Sequence, residues 1–177
     1  MIYIDMNKKK IILILIGCFL FVFTTIIYNP FNIIRLELFF NNVEKVEIYS
    51  YQGRDSWIET ASPSDLEELN YIFNYKIDIN KKYLKSKIFL DKTQINKLKN
   101  SLRKSSVLKV PYKCYNPRLS IIFYDDKNDI FGYIEICFEC NKVICSENLK
   151  FISLNALNLE STFKEFGITY FGEEENN

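Results

Sequence analysis

The sequence predicts an α+β fold: an amino-terminal transmembrane helix followed by one domain with an antiparallel sheet and about three helices. Three observations predict it. Lys8-Lys9-Lys10 precede eighteen uncharged residues, Ile11 to Tyr28. Leu119 to Phe138 carries two strand-like runs around a polar turn, the pattern of an antiparallel hairpin. Helical periodicities are interspersed with strands without a regular strand–helix–strand order, which argues against a parallel sheet.

The run IILILIGCFLFVFTTIIY holds no Asp, Glu, Lys, Arg, Asn or Gln. As a helix rising about 1.5 Å per residue it covers roughly 27 Å, close to the ~30 Å hydrocarbon thickness of a bilayer. Its apolar body includes Ile11, Leu13, Leu15, Phe19, Phe21, Phe23 and Ile26. Asn29-Pro30 supplies a helix stop, and Tyr28 and Phe31 stand where aromatic rings favour the interface. Lysines before the run and none just after it predict a single pass through a bacterial inner membrane, with the amino terminus cytoplasmic and the main domain outside.

Three readings compete with the anchor, and a buried core helix is the weakest because nothing polar interrupts the run to make an outer face. Cleavage as a secretory signal wants small residues after the apolar core, and Thr24-Thr25-Ile26-Ile27 offers none of that kind. Leu15-Ile16-Gly17-Cys18 resembles a lipobox, which makes Cys18 a lipidation candidate. Against it, seven apolar residues precede Cys18 and ten apolar or Thr residues follow where lipoproteins turn polar. The chain then divides into a basic lead (1–10), the anchor (11–28), a juxtamembrane segment (29–42), an α+β domain (43–172) and an acidic tail (173–177) that reads as disordered.

About 145 residues beyond the anchor suffice for one domain with its own core. At 48 % hydrophobic and 16 % aromatic the chain is too apolar for a disordered stalk. Net charge is +1, unevenly spread: eleven Lys or Arg fall between Lys81 and Lys113 against the single acid Asp91. This basic segment reads as solvated faces attracted to the acidic carboxy-terminal half, or as a surface for anionic lipid headgroups. Nucleic acid is a poor partner for a domain outside the cytoplasm.

Along the domain, FNIIRLELFFNN (31–42) is apolar enough to continue a helix or lie on the membrane interface. Val43 to Tyr51 reads as a strand, Gln52 to Asp55 as a turn, and Ser56 to Thr60 as a returning strand. Ser62-Pro63-Ser64-Asp65 signals a helix start, with Leu66, Leu69, Ile72 and Phe73 as its apolar face. Lys87 to Leu90 is a short strand. Asp91 or Thr93 caps a second helix to about Lys104, with Ile95, Leu98 and Leu102 inward.

LSIIFY, DDKND and IFGYIEICF form the hairpin, placing Gly132, Ile134, Ile136 and Phe138 on one face and Tyr133, Glu135, Cys137 and Glu139 on the other. Val143 to Cys145 begins a further strand. Ala156, Leu159, Phe163 and Phe166 repeat at three and four, and Gly167-Ile168 reads as a helix C-cap with its apolar contact.

Four of the five cysteines, Cys114, Cys137, Cys140 and Cys145, fall in the outer domain. An even number outside the cytoplasm favours structural disulfides, with three pairings that spacing cannot separate. A four-thiolate zinc or iron site is the sharper reading, and it requires a turn near Glu139 to bring Cys137 and Cys140 together; Asn141 suits the left-handed conformation of such a turn. Thiol redox chemistry at Cys137-Phe138-Glu139-Cys140 is the third, disfavoured because Glu135 and Glu139 would raise a thiol pKa.

Cys114-Tyr115-Asn116-Pro117-Arg118, followed by Ile134-Glu135-Ile136-Cys137-Phe138-Glu139-Cys140, resembles a signature of small, uncharacterised exported proteins of Bacteroidetes-type bacteria. The likeness covers about thirty residues. It departs where that family carries a His after the Pro-Arg pair, since this chain has Leu119 there and no histidine anywhere. The resemblance implies export and brings no activity with it.

With no histidine there is no Ser-His-Asp or Cys-His arrangement, and five glycines form neither a phosphate loop nor a dinucleotide fingerprint. Arg118 is a candidate anion-binding residue or the partner of a local acid. Two function classes follow. The first is a non-enzymatic, membrane-tethered domain without cofactor that contacts lipid and an envelope protein. The second is a thiol-redox or metal-dependent activity centred on Cys114, Cys137 and Cys140.

Overall fold

The computed structural model describes residues 14, 16–17, 31–57, 71–73, 76–104, 115–152 and 156–171. Residues 31–40 are helical (α1) and lead into β1 (Lys45–Tyr51) and a 3-10 turn (Arg54–Trp57). A small ribbon, β2 (Ile72–Phe73) and β3 (Lys76–Ile77), is followed by β4 (Leu84–Phe89) and α2 (Lys92–Lys104). The strands β5 (Leu119–Tyr124), β6 (Ile130–Cys137) and β7 (Lys142–Cys145) then run as a meander, and a second 3-10 turn (Glu147–Leu149) leads towards α3 (Leu157–Glu165).

The main sheet has the order β4-β1-β5-β6-β7 and every pair in it is antiparallel. The α+β class with an antiparallel sheet and three helices is therefore the fold of the described residues. Strand alternation sorts the side chains. Val46, Ile48, Leu119, Ile121, Phe123, Ile134 and Ile136 point to one face, where Leu36, Phe39 and Phe40 of α1, Leu98 and Leu102 of α2, and Leu159 and Phe163 of α3 close the main core. Gly132 leaves room on that face for α1: a Cβ there would lie 3.0 Å from the Phe39 ring, which also packs edge-on against Phe123.

The helix ends follow local chemistry. Gln94 donates its backbone N–H to Asp91 Oδ1 (2.8 Å) and Asp91 donates its own to Gln94 Oε1 (3.0 Å), a reciprocal cap that starts α2. At the end of α3, Gly167 adopts φ +88°, so its N–H reaches Lys164 O and the Ile168 N–H reaches Phe163 O, both at 3.0 Å. Ile168 is buried, giving the apolar contact that accompanies this cap.

Some expectations change. Ser56 and Trp57, expected to begin a returning strand, belong instead to a 3-10 turn in which Arg54 is drawn inward to a buried carboxylate, and residues 58–60 lie outside the described residues. Ile72 and Phe73, expected on a helix face, lie in β2 and pair with β3, so tertiary pairing overrides their helical spacing. The helix start at Ser62 to Asp65 lies outside the described residues, as does the tail at 173–177. So does the anchor, apart from Ile14, Ile16 and Gly17, which are helical. Among the described residues no helix is long and apolar enough to cross a membrane.

Candidate functional site

The second face of the sheet is where polar chemistry collects. Tyr49 and Tyr51 of β1, Ser120 and Tyr124 of β5, and Tyr133, Glu135 and Cys137 of β6 all project there, alongside Glu47 and Ile122. Trp57, Tyr71 and the β2–β3 ribbon cover part of this face, with Trp57 stacked on Tyr83 and edge-on to Tyr51. A strand normally alternates buried and solvated residues, yet β5 is buried at all six positions because both faces are covered.

Glu135 lies at the centre, fully buried (0 % exposed), and faces Arg54 (1 %) across 3.2 Å. Three phenols also donate to its carboxylate: Tyr71 at 2.8 Å and Tyr51 at 3.1 Å to Oε1, and Tyr115 at 2.7 Å to Oε2. Ser120 Oγ sits 2.6 Å from both the Tyr51 and the Tyr71 hydroxyl. Burial pushes the Glu135 carboxyl up, while Arg54 and then the tyrosine hydrogen bonds oppose it. Burial and the nearby carboxylate push the Tyr51, Tyr71 and Tyr115 phenols well above their ordinary range, so they stay protonated donors.

With guanidinium and phenol donors on both of its oxygens and no exposed surface, Glu135 offers nothing to a substrate. It is a clamp that ties the 54–57 turn, Tyr71 and Tyr115 to the sheet.

A second carboxylate repeats the theme. Glu47 accepts from Tyr49 and from Tyr124 (2.7 Å) and is flanked by Lys87 (3.2 Å) and Lys45 (3.4 Å). Burial raises its pKa, but the hydrogen bonds from Tyr49, Tyr124 and Lys87 outweigh that and hold it below the usual carboxylate range.

Cys137 and Cys140 are joined as a disulfide with Cα atoms 5.7 Å apart. The expected turn is present: residues 138–141 carry the chain from β6 into β7, and Asn141 adopts φ 48°. Both cysteines are buried against Tyr115. Cys145 is a free, half-buried cysteine that packs into the main core on the opposite face of the sheet, its thiol pushed up to about 12 by burial. Of the candidate cysteines, Cys137 and Cys140 are brought together and Cys145 is not. Cys145 pairs in register with Ile134 and faces away from Cys137, and among the described residues no group of His, Cys, Asp or Glu is arranged to hold a metal. Cys114 and Cys18 lie outside the described residues.

Arg118 is drawn to Glu139 (2.8 Å) and to the Tyr170 hydroxyl (3.0 Å), the local-acid alternative to anion binding. The basic segment likewise finds acids within the domain: Lys99 (2.8 Å) and Arg103 hold Glu37 of α1, and Lys97 holds Glu165 of α3. A hollow of about 290 Å³ between Asn41, Asn42, Glu44, Asp125, Asp126 and Phe131 is open to solvent. Asp125 there accepts the turn N–H groups of Lys127 (3.0 Å) and Asp129 (2.9 Å).

Sequence reasoning missed the Glu135 clamp, in which Arg54 read as a turn residue and Glu135 only as a neighbour of the cysteines. The available signal was a lone acid inside a run otherwise suited to burial, IFGYIEIC, with tyrosine-rich segments elsewhere to satisfy it. No protein-family model, no curated protein and no solved structure matches this chain.

Proposed function

We propose that this chain is a membrane-tethered, extracytoplasmic domain with a binding or structural role in a bacterial envelope, working without a cofactor. The observation that carries the reading is the buried Cys137–Cys140 disulfide at a hairpin turn. Disulfides persist outside the reducing cytoplasm, in agreement with the side of the membrane that the lysine asymmetry of the sequence favours. The uncharged run at 11–28 supplies the tether.

Thiol exchange is the weaker alternative. It requires an attacking thiolate to reach a sulfur in line, and here both sulfurs belong to buried residues beside Tyr115, on a strand end and not at a helix N-terminus. The anion-binding role of Arg118 is also disfavoured by its engagement with Glu139.

The test is made on the full chain produced with its membrane fraction. Carbonate extraction and protease protection report the tether and its orientation, and intact mass before and after alkylation counts thiols and metal together. A carbonate-resistant chain, cleaved only from the extracytoplasmic side and carrying a disulfide without metal, is the expected result. A retained zinc or iron, or rapid turnover of a disulfide substrate by the dithiol form, would replace this reading with the thiol or metal alternative. An added acyl mass at Cys18 with loss of the preceding residues would replace the spanning anchor with a lipid one.

A further inference from the structure

Helix α1 is apolar on two opposite sides. Leu36, Phe39 and Phe40 enter the main core, while Phe31 (57 % exposed), Ile34 (56 %) and Leu38 (58 %) form a second ridge that faces out. Those three follow the three-and-four spacing of a single stripe, and at 100° per residue it lies about half a turn from the core side. A surface helix has no need of this second stripe, and three large side chains in one row form a contiguous patch, unlike a singly exposed residue.

We infer that this outer ridge lies in the lipid interface, so that α1 holds the domain flush against the bilayer instead of letting it swing on a stalk. The inference rests on the tether reading above. Covalent continuity names the occupant: only residues 29 and 30 separate Tyr28, the end of the uncharged run, from Phe31. Three chain steps reach at most about 11 Å, so a run that crosses the hydrocarbon must deliver the start of α1 into the headgroup layer.

The flanks of the ridge suit that layer. On one side the Arg35 guanidinium lies over the Phe31 ring (5.8 Å) and the Phe151 ring (4.4 Å), an amphipathic cation at the seam between core and ridge. On the other, Glu37 is accompanied by two cations, Lys99 and Arg103, so no uncompensated carboxylate meets the phosphates. An interfacial helix with an apolar stripe between polar flanks has this arrangement.

The experiment uses the full chain reconstituted into phosphatidylcholine–phosphatidylglycerol vesicles, with and without brominated acyl chains. Ile34→Trp and Leu38→Trp report the ridge. Phe89→Trp reports an equally exposed aromatic (60 %) on the other face of the sheet, and the parental chain supplies the Trp57 background. All three sites are exposed, and matching urea midpoints verify that each variant folds.

Docking predicts that Ile34→Trp and Leu38→Trp lose emission to bromine while Phe89→Trp does not. Equal, weak quenching at all three sites in a chain that floats with the vesicles overturns the docking and leaves the tether standing. A blue-shifted, unquenched Leu38→Trp in a cross-linkable dimer overturns it in favour of a second copy on the ridge. Failure of every variant to float overturns tether and docking together.

Discussion

Replacing Arg54 by Met removes the cation from the Glu135 clamp while keeping most of its apolar stem. The two groups are 3.2 Å apart and essentially without exposure, so the change leaves a carboxylate buried with phenol donors and no guanidinium. Breaking a buried pair from one side costs about 3–5 kcal/mol. That is a fifth or more of the ~5–15 kcal/mol that holds a typical domain folded.

The loss should also depend on pH. Burial already raises the folded pKa of Glu135, and Arg54 is the largest influence opposing it. Without Arg54 the folded pKa climbs further above the unfolded value of about 4.3. An acid with a raised folded pKa leaves the protein most stable below the unfolded value. Stability then falls by up to about 1.4 kcal/mol per pH unit until the folded pKa is passed.

Urea unfolding of the full chain in detergent micelles, followed by far-UV circular dichroism, should therefore show a large deficit for Arg54→Met at pH 7.5 and a smaller one at pH 5.5. A double variant, Arg54→Met with Glu135→Leu, should recover part of the loss because no charge remains buried. A deficit below about 1 kcal/mol at pH 7.5, or one equal at both pH values, would refute the account of Glu135 as an ionised group held by Arg54.

Glu47 behaves with the opposite sign, since its folded pKa is lowered and its stabilisation is present above the unfolded value and lost as pH falls through the folded one. Glu47→Gln should cost about 1.5–3 kcal/mol at neutral pH, and the urea midpoint of the variant should decline less steeply in acid than the parent's. The Cys137–Cys140 bridge closes a loop with a sequence separation of three, so reducing it, or changing both residues to Ser, should cost roughly 2 kcal/mol; thermal melts of reduced parent and double variant should coincide. Gly167→Ala forces a Cβ into the left-handed region at φ +88° and should lower stability by about 1–2 kcal/mol, read from the same melts.

Much of the fold was legible because its signals are local. The Asp91–Gln94 cap, the Asp125–Asp129 turn and the Gly167 C-cap are each encoded within five or six residues and form as their sequences predict. The alternation of IFGYIEIC likewise assigned its two faces correctly, as a period of two must once a strand forms. Local spacing failed at Ile72 and Phe73, where pairing with Lys76 and Ile77 outweighs a helical pattern.

The polar face was illegible for a different reason. Arg54 and Glu135 stand 81 residues apart, Tyr51 lies beside Arg54, and Tyr71 and Tyr115 come from two further places, so no window of sequence contains the clamp. Sequence alone determined β1, the β5–β6 hairpin, the Asp91 and Gly167 caps and the even count of cysteines outside the apolar run. Tertiary structure alone decided which carboxylates are buried, that Cys137 is paired with Cys140, and that Cys145 faces away from the pair. Capping and alternation act between neighbours along the chain, whereas burial and pairing depend on strands brought together from distant parts of it.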